Sequence, residues 1–116
     1  MTAAATPREL VLIVLDDVPR NMLPGYGADH GLTPALETLT RDGATFESAF
    51  TTAPLCTPSR FSLLTGVYAS NATSITSHRP WNYVGFNTFL TGSTPTLATR
   101  LHAAGFATCF CGKYHL

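Results

Sequence analysis

An unbroken run of six apolar residues at positions 10–15, LVLIVL, most limits what this chain can fold into. The run ends abruptly at Asp16 and Asp17. Short continuous runs rich in Val, Ile and Leu are typical of parallel strands buried on both faces, and this one is far too short to cross a membrane. The sequence therefore predicts an α/β fold with a mainly parallel sheet flanked by helices.

Helix signals separate this run from a second strand-like segment, FATCFCGKY at residues 106–114. Thr-Pro pairs at 33–34 and 94–95 each offer a capping threonine followed by a proline suited to a first helical turn. The predicted helices end at glycines, namely Gly43, Gly66 and Gly105. Residues 67–93 show no clear period and are predicted to form a long loop insertion.

The charge content of the chain bears on its function and on its domain organisation. Charged residues make up 12% of the chain, which is about half the share usual for a soluble domain. Seven basic and seven acidic residues cancel, and no basic stripe exists, so nucleic acid is not an expected partner. The low charge, and an ending directly after a predicted strand, lead us to expect that residues 1–116 are the N-terminal portion of a larger catalytic domain. No signal peptide is visible, which slightly favours a cytoplasmic location, although the sequence leaves the compartment open.

Asp16 and Asp17 stand where open α/β sheets place their ligand sites, at the carboxyl end of a strand. Adjacent carboxylates repel each other unless a cation lies between them, and carboxylate oxygens suit Ca²⁺ or Mg²⁺. An equally weighted alternative is that one aspartate caps a turn while the other is solvated.

Residues 56–60, CTPSR, place a cysteine just before a predicted helix, where free N–H groups favour an anion. Arg60 adds a fixed positive charge and paired donors. A nucleophile, an anion site and an arginine together indicate a phosphate or sulfate ester as substrate. The alternative for a lone cysteine is core packing. Cys109 and Cys111 are interpreted as small buried hydrophobic residues.

CTPSR followed by LLTG resembles the signature of type I, formylglycine-dependent sulfatases of the alkaline phosphatase superfamily. VLIVLDD is similar to the family's first strand and its metal-binding aspartates, and GKYHL is similar to its second signature. Tyr114 stands where Trp is common, while Lys113 and His115 are kept. The resemblance covers residues 10–116 and implies an alkaline-phosphatase-like fold, of which only the N-terminal part is present.

The resemblance also implies a chemistry. Cys56 is oxidised to formylglycine by a formylglycine-generating enzyme and hydrated to a diol. One diol oxygen attacks sulfur and the S–O bond to the alcohol breaks. The second hydroxyl then expels sulfate and restores the aldehyde, which splits one hard step into two. Asp16, Asp17 and the modified Cys56 bind the metal, expected to be Ca²⁺ with Mg²⁺ as the alternative.

Three further side chains receive roles from the resemblance. Arg60 holds the diol, Lys113 donates to a sulfate oxygen, and His115 hydrogen-bonds the diol or moves its proton. On an extended segment Lys113 and His115 share one face. The alternatives are a surface salt bridge for Arg60, a solvated position at a strand end for Lys113 and a purely structural role for His115.

The expected substrate is a small-molecule or carbohydrate sulfate ester. Two other hypotheses are a phosphonate or phosphate ester hydrolase of the same superfamily and a non-catalytic truncated remnant.

Asp16, Asp17 and a diol supply fewer oxygens than the six to eight that Ca²⁺ usually takes. We therefore expect the isolated chain to bind metal weakly and to be inactive.

Overall fold

The computed structural model of the protein describes residues 9–28, 31–72 and 84–116. These ranges contain three α-helices: α1 at Pro34–Asp42, α2 at Cys56–Thr65 and α3 at Leu97–Ala103. They also contain three single-turn 3₁₀ helices, at Arg20–Met22, Pro24–Tyr26 and Ala69–Asn71. None of the helices in these ranges is long and apolar enough to cross a bilayer. The chain divides into two compact units, Met1–Ser48 and Ala49–Leu116.

The parallel sheet expected from the sequence has no counterpart in the described part of the chain. Residues 10–15 form neither helix nor strand, and their side chains are 45–78% exposed. Residues 106–114, the second predicted strand, also pair with no neighbouring strand. A β-ladder exists only where a partner strand supplies the other half of its hydrogen bonds, so a suitable local sequence does not create one by itself. The sheet therefore stays a prediction for these two segments.

Helix α1, in the first unit, begins where predicted, with Thr33 at the N-cap and Pro34 at the first helical position, but the side chain of Thr33 makes no capping hydrogen bond. It ends at Gly43, also as predicted, but the φ of Gly43 is −113°, so the residue is not left-handed. Glycine is needed there for space, because a Cβ would lie 2.7 Å from the carbonyl oxygen of Leu39. The 3₁₀ turn at Pro24–Tyr26 is joined to the segment after α1, since the Tyr26 hydroxyl donates to the carbonyl of Phe46 at 2.7 Å.

The second unit has a small core around α2. Its buried apolar residues are Phe61, Ala69 and Ala72, and the partly buried side chains packed against them are Val84, Leu90 and Leu116. Both described parts of the predicted loop 67–93 therefore contribute to this core, and residues 73–83 lie outside the described part of the chain. Leu116 anchors the GKYHL segment to the same core.

Helix α2 divides its residues between two faces. Thr57, Pro58, Phe61 and Ser62 are buried. Cys56 lies on the opposite face, because a helix turns once every 3.6 residues. The helix stops at Gly66, which has a φ of +73° and donates its N–H to the carbonyl of Ser62 at 2.9 Å, as the sequence predicted.

Helix α3 begins later than the Thr-Pro pair at 94–95 suggested. Its N-cap is Thr96, whose hydroxyl accepts from the N–H of Thr99 at 3.2 Å. The hydroxyl of Thr99 accepts in return from the N–H of Thr96 at 2.8 Å. This reciprocal capping box satisfies two backbone donors at the start of the helix. The helix ends at Ala103, shortly before the left-handed Gly105, φ +89°.

Candidate functional site

Cys56 is the first residue of α2, one position further into the helix than expected, and its free thiol is half-buried. The N–H of Ser59 bonds the carbonyl of Leu55 at 3.1 Å. Pro58 has no N–H to satisfy, so the amides of Cys56 and Thr57 are the helix-terminal donors that lack an acceptor within the helix. The positive end of the helix dipole and these amides favour an anion beside position 56.

The hydroxyl of Ser59 lies 2.7 Å from the hydroxyl of Thr51. The hydroxyl of Thr51 also lies within hydrogen-bond distance of the carbonyl of Ala53, at 3.1 Å. The contact between the two hydroxyls joins the segment that precedes Cys56 to the first turn of α2. Thr51 belongs to neither sequence motif, and no local pattern predicts its contact with Ser59.

Arg60 lies one turn after Cys56 on the same face of α2. Its Nη1 atom donates to the backbone carbonyl of Lys113 at 2.7 Å. The guanidinium is half-buried, and its charge strengthens the bond. The structure thus joins the two sequence motifs that the sequence analysis singled out.

Lys113 and His115 are both exposed. Gly112 has a φ of +105° and His115 a φ of +58°, so the backbone turns twice within this short segment. It therefore departs from the straight extended geometry behind the prediction that the two side chains share a face. The imidazole of His115 packs against the ring of Phe86, with centroids 5.7 Å apart and planes tilted by 32°. Phe86 belongs to the long loop, whose lack of period gave no signal for this contact.

Asp16 and Asp17 belong to the first unit, and both are exposed. Asp17 has a φ of +55°. In the described part of the chain, Asp17 and His115 are the non-glycine residues with positive φ. Left-handed backbone is uncommon outside glycine and is concentrated at functional sites. Two residues selected from the sequence for their chemistry are thus also the two with unusual backbones.

The side chains of Asp16 and Asp17 have the donor chemistry of a site for a hard divalent cation. Two carboxylates provide only part of the six to eight oxygens of a Ca²⁺ shell. Within the described ranges, no group of three or more His, Cys, Asp or Glu side chains could hold a metal ion. The donors fit the cation, and these residues alone leave its coordination shell incomplete.

Cys109 and Cys111 are exposed free thiols. The interpretation of both as small buried residues is wrong for this structure. The reason is the same as for residues 10–15: within the described ranges, no neighbouring strand covers the segment that carries them.

Comparisons with known proteins identify relatives over the whole chain. The Sulfatase family model matches residues 8–116. The chain is 32% identical over 123 residues to N-acetylgalactosamine-6-sulfatase of Sus scrofa, covering 100% of the chain and 23% of that relative. It is 36% identical over 116 residues to steryl-sulfatase of Mus musculus, covering 97% of the chain and 18% of that relative.

A bacterial relative gives a similar result. The chain is 36% identical over 107 residues to N-acetylgalactosamine-6-O-sulfatase of Bacteroides thetaiotaomicron, covering 92% of the chain and 20% of that relative. The chain thus spans about a fifth of the length of the curated relatives it matches. No solved structure matches it.

Proposed function

The chain belongs to the sulfatase family, and on that premise we propose that the complete protein hydrolyses sulfate esters through a formylglycine made from Cys56. The observation that carries this proposal is the 2.7 Å hydrogen bond from Arg60 to the carbonyl of Lys113. It ties the helix that begins at Cys56 to the segment that supplies Lys113 and His115. A nucleophile, an anion-binding helix start and a cationic segment are thereby parts of one unit.

Position 56 suits a group that must face an anionic ester. The amides of the first turn of α2 and the positive end of the helix attract the sulfate oxygens to the modified side chain. Arg60, on the same helix face, orients that side chain. A divalent cation, when bound, offsets the charge of the sulfate and activates the attacking hydroxyl. Asp16 and Asp17 are the residues that would hold it.

In this proposal Lys113 stabilises developing negative charge and His115 transfers a proton. The ammonium of Lys113 donates to a sulfate oxygen and stabilises charge that develops as the S–O bond breaks. The imidazole of His115 hydrogen-bonds the hydrated side chain at position 56 and moves its proton. Both residues are exposed, so a substrate can reach them.

The fold of the family is alkaline-phosphatase-like, and we propose that residues 10–15 and 106–111 are strands of its parallel sheet. The exposure of the first segment supports this. Six adjacent apolar side chains that are 45–78% exposed form a surface that water disfavours. Pairing with neighbouring strands would bury it and would place Asp16 and Asp17 at the ligand-binding edge of the sheet.

The proposed substrate is a carbohydrate or other small-molecule sulfate ester. Two of the relatives are named for N-acetylgalactosamine 6-sulfate and one for steryl sulfate, so the relatives span both a sugar and an apolar alcohol. The proposed partner in maturation is a formylglycine-generating enzyme, which acts on the CTPSR segment.

The test is made on the complete protein. Mass spectrometry of the peptide that contains Cys56 is expected to show an aldehyde in place of the thiol. Cys56→Ala is expected to abolish turnover of an aryl sulfate, while Cys111→Ala, which removes a thiol with no role in the proposed reaction, is expected to retain it. Full sulfatase activity of Cys56→Ala would refute the proposal. Faster turnover of an aryl phosphonate than of the aryl sulfate would assign the protein to phosphonate hydrolysis instead.

A further inference from the structure

The ring of Phe86 lies against the imidazole of His115, and this contact is explained by neither motif. The centroids are 5.7 Å apart and the planes are tilted by 32°. This separation and tilt fall within the range in which aromatic rings attract each other. Phe86 is 64% exposed, so the rest of its surface faces solvent. Its position is therefore not explained by burial in the core.

A rigid turn presents Phe86. The N–H of Thr88 donates to the carbonyl of Gly85 at 3.2 Å, and the hydroxyl of Thr88 donates to the same carbonyl at 3.0 Å. The side chain of Asn87 accepts from the N–H of Gly85 at 3.0 Å. Thr88 is only 1% exposed, so the turn is anchored in the interior while Phe86 stands on its outer side.

The backbone around His115 is fixed on both sides. Arg60 holds the carbonyl of Lys113, and Leu116 packs against the core around Phe61. These anchors place the Cα atom of His115, but they do not set the rotation of its imidazole. Contact with a ring on a rigid turn restricts that rotation.

We propose that Phe86 is a positioning residue that holds the imidazole of His115 in the orientation used for proton transfer. The inference rests on the proposed function, since His115 needs an orientation only if it moves a proton. Proton transfer requires a hydrogen-bonding geometry, and small misplacements of a catalytic group are costly in rate. Phe86 itself touches no reacting atom in this role.

The experiment compares Phe86→Leu, which removes the ring, with Phe86→Tyr, which keeps it, in the complete protein. We expect Phe86→Leu to lower kcat on an aryl sulfate about tenfold with little change in KM. Phe86→Tyr, which keeps the ring, is expected to have a kcat within about twofold of that of the parent protein. The matched control is Phe110→Leu, because the ring of Phe110 packs edge-on against Tyr114 rather than against His115.

Three other outcomes of this experiment would overturn the inference. An unchanged kcat in Phe86→Leu would show that the ring does not position His115. A raised KM with unchanged kcat would make Phe86 a substrate contact. An equal loss in the Leu and Tyr variants with a lowered Tm would make its role purely structural.

A second measurement does not depend on turnover. The ring protons of His115, observed by NMR, are expected to move in Phe86→Leu because the neighbouring ring current is lost, and to stay in place in Phe110→Leu. Unmoved signals in Phe86→Leu would refute the contact. Retained activity in Cys56→Ala would refute the proposed function instead, so the two failures are distinguishable.

Discussion

Arg60 donates from Nη1 to the backbone carbonyl of Lys113 at 2.7 Å, across 53 residues of sequence. The acceptor is a carbonyl rather than a carboxylate, so the bond fixes the path of the backbone without neutralising the guanidinium. The bond therefore holds the segment that carries Lys113 and His115 against helix α2.

Arg60→Lys is expected to lower kcat of the complete protein by about a hundredfold, because a 1 Å shift in a positioned group has costs of that order. Lysine keeps the charge but lacks the planar fork of donors with which Arg60 reaches the carbonyl of Lys113 and, in the proposed function, also holds the side chain at position 56. Steady-state kinetics on an aryl sulfate measure the effect. The same substitution at Arg100, an exposed residue of α3, is the control and is expected to be neutral. Parent-like turnover in Arg60→Lys would contradict the prediction.

Asp17→Asn is expected to weaken Ca²⁺ binding by the complete protein at least about tenfold, because one anionic oxygen donor is lost. Asparagine tolerates the left-handed backbone at this position, so the substitution changes the charge without changing the fold. Calorimetric titration of Ca²⁺ into chelator-treated protein measures the affinity. Asp42→Asn, at an exposed acid paired with Arg41, is the control. Equal affinity in the Asp17 and Asp42 variants would remove Asp17 from the metal site.

Gly66→Ala is expected to lower the free energy of unfolding by about 1–2 kcal/mol, because Gly66 has a φ of +73° and a Cβ is strained there. Gly92→Ala is the matched control, since a Cβ at Gly92 meets no atom within 4 Å and its φ is outside the left-handed range. It is expected to be neutral or stabilising by up to about 0.5 kcal/mol. Urea unfolding of both variants makes the comparison, and equal stabilities would contradict it.

The hydroxyl pair of Thr51 and Ser59 is expected to contribute a coupling energy of about 0.5–1 kcal/mol, as for other neutral hydrogen bonds near the surface. A double-mutant cycle of Thr51→Val and Ser59→Ala, followed by urea unfolding, isolates that energy. Additive effects of the two substitutions would mean that the 2.7 Å contact does not stabilise the start of α2.

Features that depend on a few neighbouring residues could be predicted from the sequence. Thr33 and Gly66 stand at their helix ends as expected, because a proline suits the first helical position after Thr33 and glycine suits the left-handed end at Gly66. The start of α3 was missed because its capping box uses Thr99 where Glu or Gln usually signals the motif. The types of the site residues were also visible, since CTPSR and GKYHL are local patterns.

Features that join distant parts of the chain could not be predicted in the same way. Nothing local to Arg60 indicates that its partner is the carbonyl of Lys113, and nothing local to Phe86 indicates His115. The strand predictions have the same limit. Residues 10–15 have the composition of a buried strand, but pairing depends on segments far away in sequence.

The left-handed backbones of Asp17 and His115 have a practical consequence for engineering. A library that randomises either position and is sorted only for folded protein is expected to keep Gly, Asn, Asp and His and to discard Val and Ile. Sorting the survivors for turnover in a second round would then report on side-chain chemistry alone, because variants with an incompatible backbone have already been removed.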